Sequence, residues 1–288
     1  MYQIVRKEKL NNQITLMEIK APFAAAKAEP GQFVILRVSD KGERIPLTIA
    51  GFDREKETVT IIFQIAGATT ALLNKKEEGD FISDFVGPLG KPTECDGIKS
   101  VCIVGGGVGC AIALPAARKF KTLGARVVSI TGFKNKEAVI LEKEFDDASD
   151  IHILLTDDGS YKEKGLVTDA LRKLIDEGNS FDEVLAIGPI PMMKFVSKLT
   201  KEFGIKTVVS MNPIMIDGTG MCGACRVMVG DKVKFACIDG PEFDGHLIDF
   251  DQAMKRQQIY KTEEGRALLK KKEGDSHHGG CGFCGGNK

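Results

Sequence analysis

A chain of 288 residues exceeds what one compact core normally holds, so two or three domains are expected. Lys plus Arg and Asp plus Glu number 40 each, a balance that excludes a protein built to neutralise nucleic-acid phosphates, which takes clustered basic charge. Apolar residues make up 43%, enough for ordinary cores, yet no run is long enough to cross a bilayer and "MYQIVRKEKL" lacks the apolar centre of a signal peptide. A cytoplasmic protein is therefore expected, whose eight cysteines read as metal ligands, redox thiols or buried apolar residues rather than disulfides.

Residues 1–96 carry short Val- and Ile-rich segments: "QITLMEIKAP", "GQFVILRVS", "RIPLTIAGF", "ETVTIIFQIA" and "DFISDFVGPLG". Gly31, Gly42, Gly51 and Gly87 punctuate them, as in a small antiparallel barrel. Thr48 offers a hydroxyl on one of these strands, suited to hydrogen-bonding the edge of a flavin ring. Gly67, Thr69 and Thr70 precede the helical "ALLNK" and form a candidate phosphate cradle at a helix start. Taken without their neighbours, the two threonines read as helix caps and nothing more.

Near Gly97 the rhythm changes. Continuous apolar runs ("SVCIVGG", "ARVVSITGF", "IHILLTDD", "EVLAIGP", "KTVVSMN") alternate with helical patterns such as "LVTDALRKLIDEG" and "PMMKFVSKLTKEFG". Buried strands alternating with helices predict βαβ units and a doubly wound parallel sheet over residues 97–210. In "SVCIVGGGVGCAIALPAARKF", Gly105, Gly106, Gly107 and Gly109 let the backbone turn tightly toward a pyrophosphate at a helix N-terminus. Cys110 takes the third glycine place of the usual fingerprint, so the match is partial. Two further strand ends lie where open α/β sheets bind ligands: Thr156, Asp157, Asp158 and Gly159 of "TDDGS", and Gly188, Pro189 and Met192 of "GPIPMM".

Residues 211–250 form a compact Gly- and Cys-rich segment, followed by a polar, helical tail over 251–288 that ends in "SHHGGCGFCGGNK". Cys222, Cys225 and Cys237 fall in the last three places of the plant-type ferredoxin pattern C-x4-C-x2-C plus a distant fourth, and Asp217 stands in the first. The segment can be an iron–sulfur site with a carboxylate ligand, a Cys3Asp zinc site, or a broken cluster site in which Asp217 only shapes a turn. Cys95, Cys102 and Cys110 read as buried apolar residues. Cys281 and Cys284, with His277 and His278, read as a mobile tail or an extra metal or redox site.

Taken in order, these motifs resemble the ferredoxin–NADP reductase superfamily, in the branch with a C-terminal [2Fe–2S] segment. That branch includes the electron-transfer subunits of dihydroorotate dehydrogenase, the small subunits of electron-bifurcating NADH-dependent reduced ferredoxin:NADP oxidoreductases, and sulfide dehydrogenase subunits. The resemblance implies an antiparallel β-barrel FAD domain, an α/β NAD domain with a doubly wound parallel sheet, and a small [2Fe–2S] segment. It implies that Pro46, Leu47 and Thr48 line the flavin, with Thr48 taking part in catalysis. Phe63, Gln64 and Ile65, then Gly67, Thr69 and Thr70, would follow the rest of FAD. The "GGGVG", "TDDG" and "GPIPMM" residues would bind the nicotinamide nucleotide, NAD(H) on family grounds. Asp217, Cys222, Cys225 and Cys237 would hold the cluster, and Asp in the first place marks the bifurcating small subunits. Two places depart from the pattern: Ile45 stands where the flavin motif has Arg, with Arg44 one earlier, and Ile187 stands where a Cys often precedes Gly-Pro.

The function so implied is hydride exchange with NAD(H) and passage of single electrons to a larger flavin/iron–sulfur oxidoreductase subunit in a heterodimer, and indirectly to ferredoxin. Dihydroorotate or sulfide as the partner's substrate is the alternative within the family. From another class, a zinc-stabilised nucleotide-binding adaptor would use the same motifs without electron transfer. Neither nucleic acid nor membrane insertion is expected.

Overall fold

The computed structural model describes residues 1–273, so His277, His278, Cys281 and Cys284 lie outside the described residues. The first sheet comprises β1 (Tyr2–Lys9), β2 (Ile14–Lys20), β3 (Phe33–Arg37), β4 (Arg44–Asp53), β5 (Thr58–Gln64), β6 (Phe81–Ile82) and β7 (Asp84–Leu89). Its order is β6-β1-β2-β5-β4-β3-β7, antiparallel throughout, and it curls into a nearly closed barrel. Inward side chains alternate along each strand, as a pleat demands, and Met17, Val34, Leu36, Ile49, Ile61 and Phe63 fill the interior. Two short helices, α1 (Pro22–Lys27) and α2 (Ala68–Leu73), lie between strands. Strand β1 is the element that apolar alternation does not reveal. Ile4 is its one fully buried residue, and Arg6, Glu8 and Lys9 face solvent.

The second half follows the expected alternation: β8 (Ser100–Gly106), α3 (Gly109–Thr122), β9 (Arg126–Phe133), α4 (Glu142–Ala148), β10 (Ile151–Thr156), β11 (Glu163–Lys164), α5 (Val167–Asp176), β12 (Glu183–Ile187), α6 (Ile190–Glu202) and β13 (Thr207–Ser210). Period-two alternation again sorts the side chains. Val101, Ile103, Val127 and Leu185 pack toward α3 and α4, whereas Cys102, Val104, Val128 and Val184 pack toward α5 and α6. Helices on both faces are what a strand of nearly unbroken apolar residues requires. Cys102 and Cys110 are fully buried and Cys95 nearly so, in keeping with their reading as apolar residues.

The Cys-rich segment contributes a hairpin of β14 (Arg226–Val229) and β15 (Lys232–Phe235), a short helix α7 (Ala236–Asp239) and β16 (Glu242–Asp244). Helices α8 (Phe250–Gln257) and α9 (Lys261–Glu273) follow. β16 runs antiparallel beside β13, with Ser210 opposite Glu242 and Val209 opposite Phe243, and closes the edge of the parallel sheet in the order β11-β10-β9-β8-β12-β13-β16. The segment is thus stitched into the edge of the parallel sheet.

β16 also places Glu242 at a three-way joint. Thr93 Oγ1, on the connection between the two sheets, donates to Glu242 Oε1 at 2.8 Å. Burial pushes this carboxyl up to about 7; the Thr93 hydrogen bond opposes the shift and the Glu183 carboxylate adds to it. In the unfolded chain the group titrates near its ordinary 4.5, so over the interval up to about 7 the folded state keeps a proton that the unfolded state releases. Stability is therefore greatest below the unfolded value and declines as pH rises toward the folded one. Glu242→Gln should remove that decline: at pH 8 the variant should exceed the parent by up to about 3 kcal/mol, the gap narrowing toward pH 5. Urea unfolding at both pH values measures the difference, and a gap independent of pH would contradict it.

Candidate functional site

A cavity of about 930 Å³ opens where the barrel meets the carboxyl ends of β8, β9, β12 and β13. This is the crevice in which open α/β sheets bind ligands, and its size suits a cofactor or nucleotide. From the barrel come Pro46 and Thr48 of β4, Gln64 at the end of β5, and Phe33 of β3. From the parallel sheet come Gly106, Gly107 and Gly109 of the glycine turn, and Gly188 and Pro189 after β12.

The pleat decides which side chains take part. Pro46 and Thr48 share one face of β4, while Leu47 and Ile49 turn to the barrel interior. Phe63 is buried inside the barrel, while its neighbour Gln64 reaches the cavity and donates to Gln13 Oε1 at 3.2 Å. Among the described residues no hydrogen-bond partner takes the Thr48 hydroxyl, which leaves it available to a ligand.

Two glycines shape the turn for different reasons. A Cβ on Gly109 would sit 2.4 Å from Ile187 O, so only glycine lets the start of α3 press against the end of β12. Gly107 has φ +56° and open space where a Cβ would point, so its backbone faces the cavity bare. Gly105 packs on Cys110, and Met192 packs its sulfur against Gly106 from the first turn of α6, outside the cavity lining.

The remaining expected residues lie elsewhere. Thr156 is buried, its hydroxyl donating to Tyr161 O at 2.7 Å and accepting from Tyr161 N at 3.1 Å, so it braces its own loop. Asp157, Asp158 and Gly159 are exposed on that loop, where Asp158 accepts from Ser160 N at 2.9 Å. At α2, Thr70 accepts from the amides of Ala66 and Gly67, both at 3.0 Å, and Thr69 donates to Glu43 at 2.8 Å. Ile65 lies in the loop that leads to this helix. Nothing occupies the space beside Gly67 within 4 Å, so its backbone stays approachable. The sequence reading did not include Asn11, Asn12, Asn135, Ser210 and Asn212, which also line the cavity. Their signal was position alone: each ends, follows or precedes a strand on the side of the crevice.

The four expected cluster ligands lie on the loop before β14 and on α7. Cys225 and Cys237 are buried side by side, with Cys225 Sγ donating to Cys237 Sγ at 3.2 Å. Burial, and then the Cys225 thiol, push Cys237 up to about 12. Cys222 is exposed, and its thiol is held below the ordinary value chiefly by the Ala224 amide, with the Asp217 amide next. Asp217 accepts three hydrogen bonds on Oδ2, which hold it below the usual carboxylate range. Among the described residues no three His, Cys, Asp or Glu side chains converge on a single-ion site. Three thiols, an ionised carboxylate and amides turned toward sulfur are nonetheless the donor chemistry a [2Fe–2S] cluster takes. The loop lies against the barrel, since a Cβ on Gly218 would meet Ile35 Cγ1 at 2.7 Å and Leu89 Cδ1 at 3.0 Å.

A flavin-sized crevice between an antiparallel barrel and a doubly wound sheet, with a cysteine loop on the barrel wall, defines the ferredoxin–NADP reductase class. A solved NADH-dependent reduced ferredoxin-NADP oxidoreductase, studied for flavin-based electron bifurcation, superimposes with a TM-score of 0.90 at 42% identity, over 95% of this chain and 98% of that one. Residues 212–249 match the iron-sulfur cluster binding domain of dihydroorotate dehydrogenase B. A homologue of the dihydroorotate dehydrogenase B (NAD(+)) electron transfer subunit from Thermotoga maritima is 46% identical over 91% of this chain and 92% of its own length. The electron transfer subunit of Fusobacterium nucleatum is 34% identical over 79% and 89%. The chain belongs to the family of dihydroorotate dehydrogenase B electron-transfer subunits. Among the described residues no helix is long and apolar enough to cross a membrane.

The two glycines should respond differently to the same substitution. Gly109→Ala sets Cβ against backbone and should cost the larger amount, about 3 kcal/mol or more, by displacing α3, whereas Gly107→Ala meets open space and should cost only the strain of left-handed backbone, about 1–2 kcal/mol. Urea unfolding of both variants tests the ranking, and equal losses would contradict the close approach.

Proposed function

We propose that the chain is the electron-transfer subunit of a heteromeric oxidoreductase of the bifurcating ferredoxin:NADP type, exchanging hydride with NAD(H) and relaying single electrons to a larger partner subunit. The carrying observation is the shared wall: Ile35 packs against Gly218 of the cysteine loop, and its β3 neighbour Phe33 lines the cavity. When bound, FAD interconverts the two-electron chemistry of NAD(H) and the one-electron chemistry of a [2Fe–2S] cluster.

The residues divide the work by position. Pro46, Thr48 and Gln64 would hold the flavin ring end of FAD, and Gly67, Thr69 and Thr70 at α2 its phosphates. Thr48 would offer its free hydroxyl to the edge of the flavin ring and so help to orient it. Gly107 and Gly109 would take the nicotinamide nucleotide's phosphates at the N-terminus of α3, where free amides and the helix dipole favour anions. The apolar walls, Phe33 and Ile187 among them, exclude water from the hydride path. Asp217, Cys222, Cys225 and Cys237 would ligate the cluster.

Asp217 in the first ligand place supports the bifurcating partner over a dihydroorotate- or sulfide-oxidising one, because the resemblance associates that residue with bifurcating small subunits. All six described cysteines are free of disulfides, which supports a cytoplasmic setting.

Purified anaerobically, the full chain should hold one FAD, two irons and two labile sulfides. Stoichiometric zinc without sulfide would overturn the cluster assignment in favour of an adaptor. Thr48→Val should slow NADH-dependent flavin reduction up to about tenfold, the scale of one hydrogen bond of net worth about 1 kcal/mol, with FAD retained. Stopped-flow absorbance at the flavin band measures it, and an unchanged rate would remove Thr48 from the mechanism.

A further inference from the structure

The loop "DGTGM", Asp217 to Met221, concentrates its donors on one oxygen. Thr219 N donates to Asp217 Oδ2 at 2.9 Å, Thr219 Oγ1 at 2.6 Å and Met221 N at 3.2 Å. Among the described residues no hydrogen bond reaches Oδ1. Gly218 and Gly220, at φ +81° and +90°, bend the chain so that residues two and four places on face the same atom. An ordinary turn of this kind needs only the amide two residues on. The hydroxyl is an addition that the turn itself does not require, and Asp217 is its one hydrogen-bond partner among the described residues.

We propose that Thr219 is a positioning residue for the cluster: its hydroxyl and amide hold Oδ2, so that Asp217 ligates through Oδ1 alone and as a weakened donor. The proposal rests on the assignment of Asp217 as a ligand. A carboxylate that accepts three hydrogen bonds keeps less electron density for a metal, because the donors draw charge away from it. Less donation disfavours the oxidised cluster, so the hydroxyl raises the midpoint potential above what a free aspartate would give.

Thr219→Val keeps the shape and the backbone amide and deletes only the hydroxyl. In the anaerobic holoprotein, with iron and sulfide counted, a dye-mediated redox titration followed by EPR should show the cluster midpoint moved to more negative potential. Thr219→Ser, which restores the hydroxyl, should return it to the parent value. In an Asp217→Cys background the Thr219→Val shift should vanish, because the carboxylate that it acts through is gone. A Thr219→Val midpoint equal to the parent's, with Asp217→Cys altering the EPR spectrum, overturns the proposal and leaves the ligand assignment standing. An Asp217→Cys protein with parental spectrum and potential removes Asp217 from the ligand set, and the role of Thr219 falls with it. Should Thr219→Val load fewer than two irons, Thr219→Ala carries the same comparison.

Discussion

The architecture depends on the alternation of side chains along β3. Val34 and Leu36 point into the barrel, while Phe33 and Ile35 point outward into the apolar cluster that also contains Val104, Met211, Cys225 and Cys237. One five-residue strand therefore belongs to two cores at once. Because the pleat has a period of two, a slip of one residue would exchange the two sets and leave neither core filled. The register of β3 against β4 and β7 thus fixes both the barrel and the position of everything packed on its outer wall.

The same constraint acts on β4, where Pro46 and Thr48 face the cavity and Leu47 faces inward. On the opposite wall the limit is steric: α3 approaches β12 so closely that the residue at 109 has no room for a side chain. The crevice is framed by elements held in place from behind, which suits a site that must hold two planar groups face to face.

Much of this was legible in the sequence. Continuous apolar runs between amphipathic helices gave the parallel strands, and the glycine turn located the end of β8. Other features follow from relations that a local pattern does not carry. β1 has one fully buried residue, so its charged alternate positions mask a strand held mainly by its neighbours. β16 is three residues long and gains its structure from pairing with β13 more than thirty residues earlier. Leu47 and Phe63 sit beside true cavity residues in sequence, and only the pleat separates them from Thr48 and Gln64. Thr156 carries a residue type suited to binding, yet its hydroxyl is spent on Tyr161 within its own loop. Asp217 shows the converse: its turn hydrogen bonds all fall on Oδ2, so the turn leaves Oδ1 free of them.

The pairing of Ser210 with Glu242 has a meaning for how such chains diversify. The segment between them leaves the sheet and returns to it at adjacent points, the geometry of a splice whose two ends are already joined. A loop anchored in that way can change its length, its ligands or its surface while the strands on either side keep their places. Exchange of one thiolate for a carboxylate is then a local edit, and a single reductase body can be matched to different electron acceptors by rewriting a module of about thirty residues.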